Sequence, residues 1–115
     1  MIDTRNKIVT MEQAKRVAEQ EKAPVVTAYC DPLLPAPVKR LRAIAGEGRV
    51  MVVLKTPPNA YLDARARAEL AASLDMVLGV VIAEEWQGAI ALHEEETHTR
   101  NAFIDYVRER AATGV

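Results

Sequence analysis

Val25-Val26-Thr27-Ala28-Tyr29-Cys30-Asp31-Pro32-Leu33-Leu34-Pro35-Ala36-Pro37-Val38-Lys39-Arg40-Leu41 reads as a buried strand, a tight proline-rich loop and the start of a helix. Val25 to Cys30 is apolar almost throughout and does not alternate. That is the pattern of a strand covered on both faces, which favours a parallel sheet. Proline suits a first helical turn, where its missing N–H has no partner to lose, so the helix is predicted to begin at Ala36 or Pro37. A junction of this kind sits at the carboxyl end of a strand with a helix N-terminus aimed at it. In open α/β sheets ligands bind there.

The rest of the chain repeats the alternation. Upstream, Ile8-Val9 is a short apolar lead-in, and Thr10 with Gln13 fits a capping box. The helix it starts carries Ala14, Val17 and Ala18 on one stripe and is ended by Ala23-Pro24. Downstream of the quoted stretch, Val38, Leu41, Ile44 and Ala45 face inward, and Gly46 or Gly48 closes the helix. Val50 to Leu54 is a second apolar strand, and Lys55 to Asn59 a loop with two prolines. Leu62, Ala66, Leu70 and Leu74 recur every four residues, with Ala71 beside them, which predicts an amphipathic helix over 63–74. Met76 to Ala83 is a third apolar strand with a glycine inside it, and Ala89 to Leu92 a short fourth. Thr99 is positioned to cap a last helix with Phe103, Tyr106 and Val107 on one face and Arg108 and Glu109 on the other.

Strand, helix, strand, helix, strand predicts an α/β protein: a Rossmann-like, doubly wound parallel sheet in a three-layer α/β/α sandwich. The strands fall near 25–30, 50–54 and 77–82, ordered third, second, first, with any fourth strand beside the first.

Length and composition set the outer limits. With 115 residues the chain is one small domain, a lead-in helix within 1–24 followed by a core over 25–115. A net charge of -1 gives no electrostatic reason to expect nucleic acid or an anionic membrane surface. The few aromatics, Tyr29, Tyr61, Trp86, Phe103 and Tyr106, argue against a base-stacking platform. Cys30 is the only cysteine and has no internal partner, so a reducing cytoplasm is the expected location. No apolar run is long enough to cross a bilayer and no signal-peptide pattern is present, so no membrane partner is expected.

Side chains that bear on chemistry are few. Asp31 ends the first strand beside a helix start, where a carboxylate caps backbone N–H groups. Cys30 reads as a small buried core residue, since no histidine is near it in sequence. His93-Glu94-Glu95-Glu96-Thr97-His98 resembles a metal motif, but its histidines are five apart, whereas a zincin helix needs four to keep both on one face. A solvated acidic loop is the expectation for this segment, with no metal and no cofactor.

Taken together, these residues resemble the cytidylyltransferase-like nucleotidyltransferases, the group that includes heptose-phosphate adenylyltransferases and glycerol-3-phosphate cytidylyltransferases. In that family a lead-in helix precedes a strand ending in Gly-x-Phe-Asp, two leucine-like residues, and then His-x-Gly-His at a helix start. Ala28-Tyr29-Cys30-Asp31 lies over the first motif and Leu34-Pro35-Ala36-Pro37 over the second. Val38-Lys39 matches the apolar-Lys pair that follows, and Gly48 to Val53 resembles the family's Gly-Asp-apolar strand. Arg67-Ala68-Glu69-Leu70-Ala71-Ala72-Ser73-Leu74 resembles its Arg-x-x-x-Leu-x-x-Leu helix, and Met76 to Ile82 its next strand. The similarity covers most of Lys7 to Ile82. It implies a nucleotidyl transfer site at the carboxyl ends of the strands, with CTP or ATP and a sugar or polyol phosphate as substrates.

The chain departs from the family where the chemistry sits. Both family histidines fall on Leu34 and Pro37, which cannot donate to phosphate oxygens as charge builds in the transition state. Prolines 32, 35 and 37 also remove backbone donors from the loop. By the resemblance Lys39 corresponds to a phosphate-contacting lysine, and Arg100, at Thr99-Arg100-Asn101 where the family has Ser-Thr-Thr, lies where it would meet an anionic ligand. Asp31, Lys39 and Arg100 are therefore the candidate ligand-binding residues, and no catalytic residue is assigned. Three readings stay open: an inactive relative kept as a binding or assembly module, an active nucleotidyltransferase using substitutes such as Lys39 and Arg100, and a protein binding another small ligand in the same crevice. A nucleotide or sugar phosphate is the implied ligand. The short segment after Ile82 leaves sheet surface to cover, which predicts a homodimer with Trp86, Ile90 and their neighbours in the contact, against the alternative of Trp86 folding back on its own chain.

Overall fold

Four strands, β1 (Val25–Ala28), β2 (Val50–Leu54), β3 (Val77–Ile82) and β4 (Ile90–Ala91), form one sheet, and every pairing in it is parallel. The computed structural model describes residues 7–112. Strand order is β3-β2-β1-β4, as the sequence predicts. All five residues of β2 are buried, because helices cover both sides of it. Val52 and Leu54 pack with Leu41, Ala68 and Ala71 on one face, whereas Met51 and Val53 pack with Ala14 and Ala18 on the other. A strand buried on both sides gains nothing from a polar residue at either parity, hence the unbroken apolar sequence.

The helices are α1 (Met11–Glu21), α2 (Pro35–Ala45), α3 (Ala64–Ala72) and α4 (Leu92–Ala112). Thr10 and Gln13 form the expected capping box on α1. α2, α3 and the first turns of α4 line one face of the sheet, and α1 with the partly buried Trp86 lines the other. After β3 the chain returns through 83–89 without a helix and adds β4 on the far side of β1. Strand order reverses there, so the switch point of the fold lies at the carboxyl ends of β1 and β4. The outer edge of β3 is blunted by Ile8, which bridges Val80, while the Val9 N–H donates to the Val80 carbonyl at 2.8 Å. Gly79 makes room for this segment: a Cβ there would lie 3.3 Å from the Lys7 carbonyl oxygen and 3.3 Å from Met51.

Several local expectations need correction. β1 stops at Ala28, because Cys30 adopts a left-handed φ of 52° and turns the chain out of the sheet. α2 begins at Pro35, with Leu34 as an N-cap that makes no side-chain hydrogen bond. α3 buries Ala71 as expected, but its other buried residues are Arg67, Ala68 and Ala72, and Leu70 is 39% exposed. Small alanines let the helix lie close to the sheet, and Leu70 faces outward while Leu74, past the helix end, packs against the core. The segment 93–98 is helical, since α4 starts at Leu92 directly from β4. Glu94 and Glu95 in its first turn complement the positive end of the helix dipole. Thr99 is therefore interior to α4 rather than its cap, and its hydroxyl donates to the Glu95 carbonyl at 3.2 Å. Trp86 is partly buried against the α1-side cluster, while Ile82 and Ile90 near it are 48 and 41% exposed.

α4 outruns the body of the domain. Its 21 residues span about 30 Å, and the molecule measures 52 Å in its longest direction against 32 and 27 Å in the others. Leu92 and Glu96 are buried, but Phe103, Tyr106 and Val107 on the same helical stripe are 47, 54 and 48% exposed.

Candidate functional site

Where β1 leaves the sheet, backbone N–H groups lose their ladder partners and something else must satisfy them. Glu96 does so. It lies one turn after the buried Leu92, so α4 brings its carboxylate under the corner. One oxygen accepts from the Tyr29 N–H at 2.7 Å and the other from the Cys30 N–H at 2.8 Å. Asp31, 2% exposed, accepts from the N–H groups of Tyr61 and Leu62 at 2.8 and 2.7 Å. It is thus a backbone cap, though for the loop before α3 and not for α2. Arg67, also 2% exposed, donates to three carbonyls: Leu62 at 3.1 Å, Tyr29 at 3.2 Å and Lys55 at 2.7 Å. Three buried charged side chains therefore tie together the ends of β1 and β2 and the 61–62 loop.

The electrostatics follow from that burial. Desolvation raises the Glu96 pKa; the Tyr29 and Cys30 N–H groups and Arg67 pull it back, and Asp31 adds to the rise. Burial also pushes the Cys30 thiol far up, helped by Glu96, so it is a protonated core residue and no nucleophile. Arg100 closes the outer side. Its guanidinium lies 3.7 Å from Asp31, 4.6 Å from the centre of the Tyr61 ring, and donates to the Asn59 carbonyl at 3.4 Å.

Of the three candidate ligand residues, the structure brings Asp31 and Arg100 together and leaves Lys39 exposed on α2. The cavity among Tyr29, Asp31, Leu34, Pro37, Glu96 and Arg100 has a volume of about 10 Å³. That is room for about one water. At the start of α2 only Ala36, between Pro35 and Pro37, carries an N–H.

A different space opens on the α1 side of the same sheet edge. Thr27 pairs with Val53 of β2 and Ala91 of β4, and Lys55 and His93 follow those partners by two residues. The three side chains line a crevice of about 520 Å³ bounded by Glu84, Trp86 and Gln87. Thr27 Oγ1 lies 2.6 Å from His93 Nδ1, and the Tyr29 and His93 rings meet edge to face at 5.3 Å. Desolvation, and then Lys55, lower the His93 pKa, while Glu94 acts in the other direction. His93 is therefore neutral near pH 7. A second hollow of about 680 Å³ continues past Trp86 between α1 and residues 85–87.

Among the described residues no group of three metal-ligating side chains comes together. On the helix, His93 and His98 are roughly 140° apart and face different surroundings. No helix among the described residues is long and apolar enough to cross a membrane.

Sequence reasoning missed Arg67, Glu96 and the Thr27–His93 pair. Arg67 had a signal: it is a charge on an otherwise alanine face, next to Ala68, Ala71 and Ala72. Glu96 had one too, four residues after Leu92, but only once the segment is read as helix. Thr27 and His93 are 66 residues apart and meet only through the β1–β4 pairing. Compared with protein-family models, with curated proteins and with solved structures, the chain has no match.

Proposed function

We propose that this chain is a catalytically inactive, nucleotidyltransferase-like domain that serves as a binding or assembly module. The observation that carries the reading is the state of the β1–α2 corner. Nucleotidyl transfer needs donors aimed at phosphate oxygens as charge develops. Here the Tyr29 and Cys30 N–H groups are already bound to Glu96, and the remaining space is about 10 Å³. Leu34 and Pro37 occupy the positions that the resemblance gives to histidines, and the two guanidinium groups at the corner, Arg67 and Arg100, already face the carboxylates of Glu96 and Asp31.

Isotope exchange between pyrophosphate and CTP or ATP, with glycerol or sugar phosphates supplied, is expected to stay at background. Leu34→His with Pro37→His is expected to leave it there, because the corner still has no donors to offer. Turnover that disappears on mutating Lys39 would overturn the reading in favour of an active enzyme. A thermal-shift panel of nucleotides and sugar phosphates reports binding without chemistry, since a ligand selective for the native state raises its melting temperature.

Assembly as a homodimer belongs to the same proposal. Exposed apolar residues support it in two places: Ile82 and Ile90 near Trp86, and α4, where Phe103, Tyr106 and Val107 extend the buried stripe of Leu92 past the end of the body. A two-fold contact is the commonest way to cover such a stripe. Sedimentation equilibrium is expected to find a dimer that Tyr106→Glu dissociates. A monomeric wild type at micromolar concentration would remove this part of the proposal.

A further inference from the structure

The two polar regions at the sheet edge use their charges differently. In the β1–α2 corner Asp31, Arg67 and Glu96 bind backbone, and only the Nε of Arg100 is buried there without a hydrogen-bond partner among the described residues. The α1-side crevice is different. Lys55 is half-buried at the end of β2, and its ammonium has neither a hydrogen bond nor an ion pair among the described residues. Its stem lies against the sheet edge while the ammonium is free to meet an anion that enters the crevice. Next to it, the Thr27 hydroxyl at 2.6 Å holds His93 by Nδ1, so the other ring nitrogen, Nε2, is left without a partner among the described residues. When the hydroxyl donates to Nδ1, Nε2 carries the proton and is a donor. The hydroxyl also lies 3.5 Å from the Ile90 carbonyl, a longer contact than the 2.6 Å to Nδ1. With the hydroxyl donating to Nδ1, the crevice holds a cation and a ring N–H side by side. Trp86 supplies an apolar wall, and the crevice volume of about 520 Å³ suits a small organic molecule. Glu84 and Glu85 also line it but are exposed, so they stand solvated at the mouth.

We propose that the crevice formed by Thr27, Lys55, His93 and Trp86 is a binding site for a small oxyanion, a carboxylate or phosphate carried on a compact apolar body. Lys55 takes the anionic group, His93 Nε2 donates to it, and the body lies against Trp86. The site is separate from the sealed corner and does not rest on the loss of transfer chemistry there.

The test follows the two histidine side chains by NMR, with His98 as internal reference, while phenyl phosphate or benzoate is added at constant ionic strength. Saturable shifts of the His93 ring with His98 unmoved, together with a rise in the His93 pKa, are expected for at least one probe. Saturation by phenyl phosphate alone assigns a phosphate, by benzoate alone a carboxylate, and by both an oxyanion site without preference. Lys55→Gln is expected to weaken the binding about tenfold or more, and Lys55→Arg to retain it. Trp86→Leu is expected to weaken phenyl phosphate but not inorganic phosphate. The amide spectrum of each variant confirms its fold. Shifts that grow linearly without saturation for both probes, or an affinity unchanged by Lys55→Gln, would overturn the proposal.

Discussion

The β1–α2 corner and the α1-side crevice lie at the same edge of the same sheet, on opposite faces of β1, and differ in how far their polar groups are paired; in the corner, the buried Nε of Arg100 is without a hydrogen-bond partner among the described residues. In the corner, Asp31, Arg67 and Glu96 are buried and each binds backbone. In the crevice, Thr27 and His93 bind each other, and the Lys55 ammonium has no hydrogen bond or ion pair among the described residues. The position of a residue at the switch point of an α/β sheet therefore does not make it a ligand residue. What matters is whether its hydrogen-bonding capacity is already used. A polar cluster that satisfies its own backbone is a structural plug, and its removal unfolds the protein; one with capacity left over is a site, and its removal leaves the fold intact.

That contrast orders the expected effects. The largest belongs to Glu96→Ala, which strands two buried N–H groups and leaves Arg67 uncompensated; a loss of about 3–5 kcal/mol is expected in urea unfolding. Arg67→Met belongs in the same range, and a double-mutant cycle between them is expected to show strong coupling. A loss below about 1 kcal/mol for Glu96→Ala would erase the difference between the two regions.

Glu96 also gives the corner a pH signature. Its folded pKa is raised above the unfolded value, so the stability it contributes is fully present below the unfolded pKa and is lost as pH rises through the folded one. Wild type minus Glu96→Gln, followed by urea unfolding across that window, is expected to fall with rising pH. A flat or rising difference would mean that its N–H donors and Arg67 outweigh burial.

Arg100→Ala is expected to cost about 1 kcal/mol, the scale of a loose ion pair and a cation–π contact at a partly exposed site. Its charge lies 3.7 Å from Asp31, too far for a strong bond. The smallest effect belongs to the crevice: Lys55→Gln is expected to change stability by no more than about 0.5 kcal/mol. His93 has the opposite sign from Glu96. Its folded pKa is depressed, so its contribution is present above the unfolded value and is lost as pH falls through the folded one.

The fold was legible because burial on both faces leaves its mark on every residue of a central strand: Val50 to Leu54 admits no other reading. Helix faces were less legible. Leu62, Ala66, Leu70 and Leu74 make a clean period, but the sheet selected the alanine flank with Arg67, since close approach to the strands mattered more than apolar volume. His93 to His98 misled for a related reason, because a run of acids is ordinary in a solvated loop and also in the first turns of a helix. The candidate residues Asp31 and Arg100 were legible as charges near a strand end. What they do was not, because their partners Tyr61, Leu62 and Asn59 come from a loop whose path no local pattern fixes.

The most direct test of the plug is amide hydrogen exchange at Tyr29 and Cys30, with and without CTP and Mg²⁺. If Glu96 holds both N–H groups as part of the structure, they exchange only through global unfolding, at rates that the nucleotide leaves unchanged. Fast exchange at either amide, or protection that appears only when CTP is added, would contradict the account.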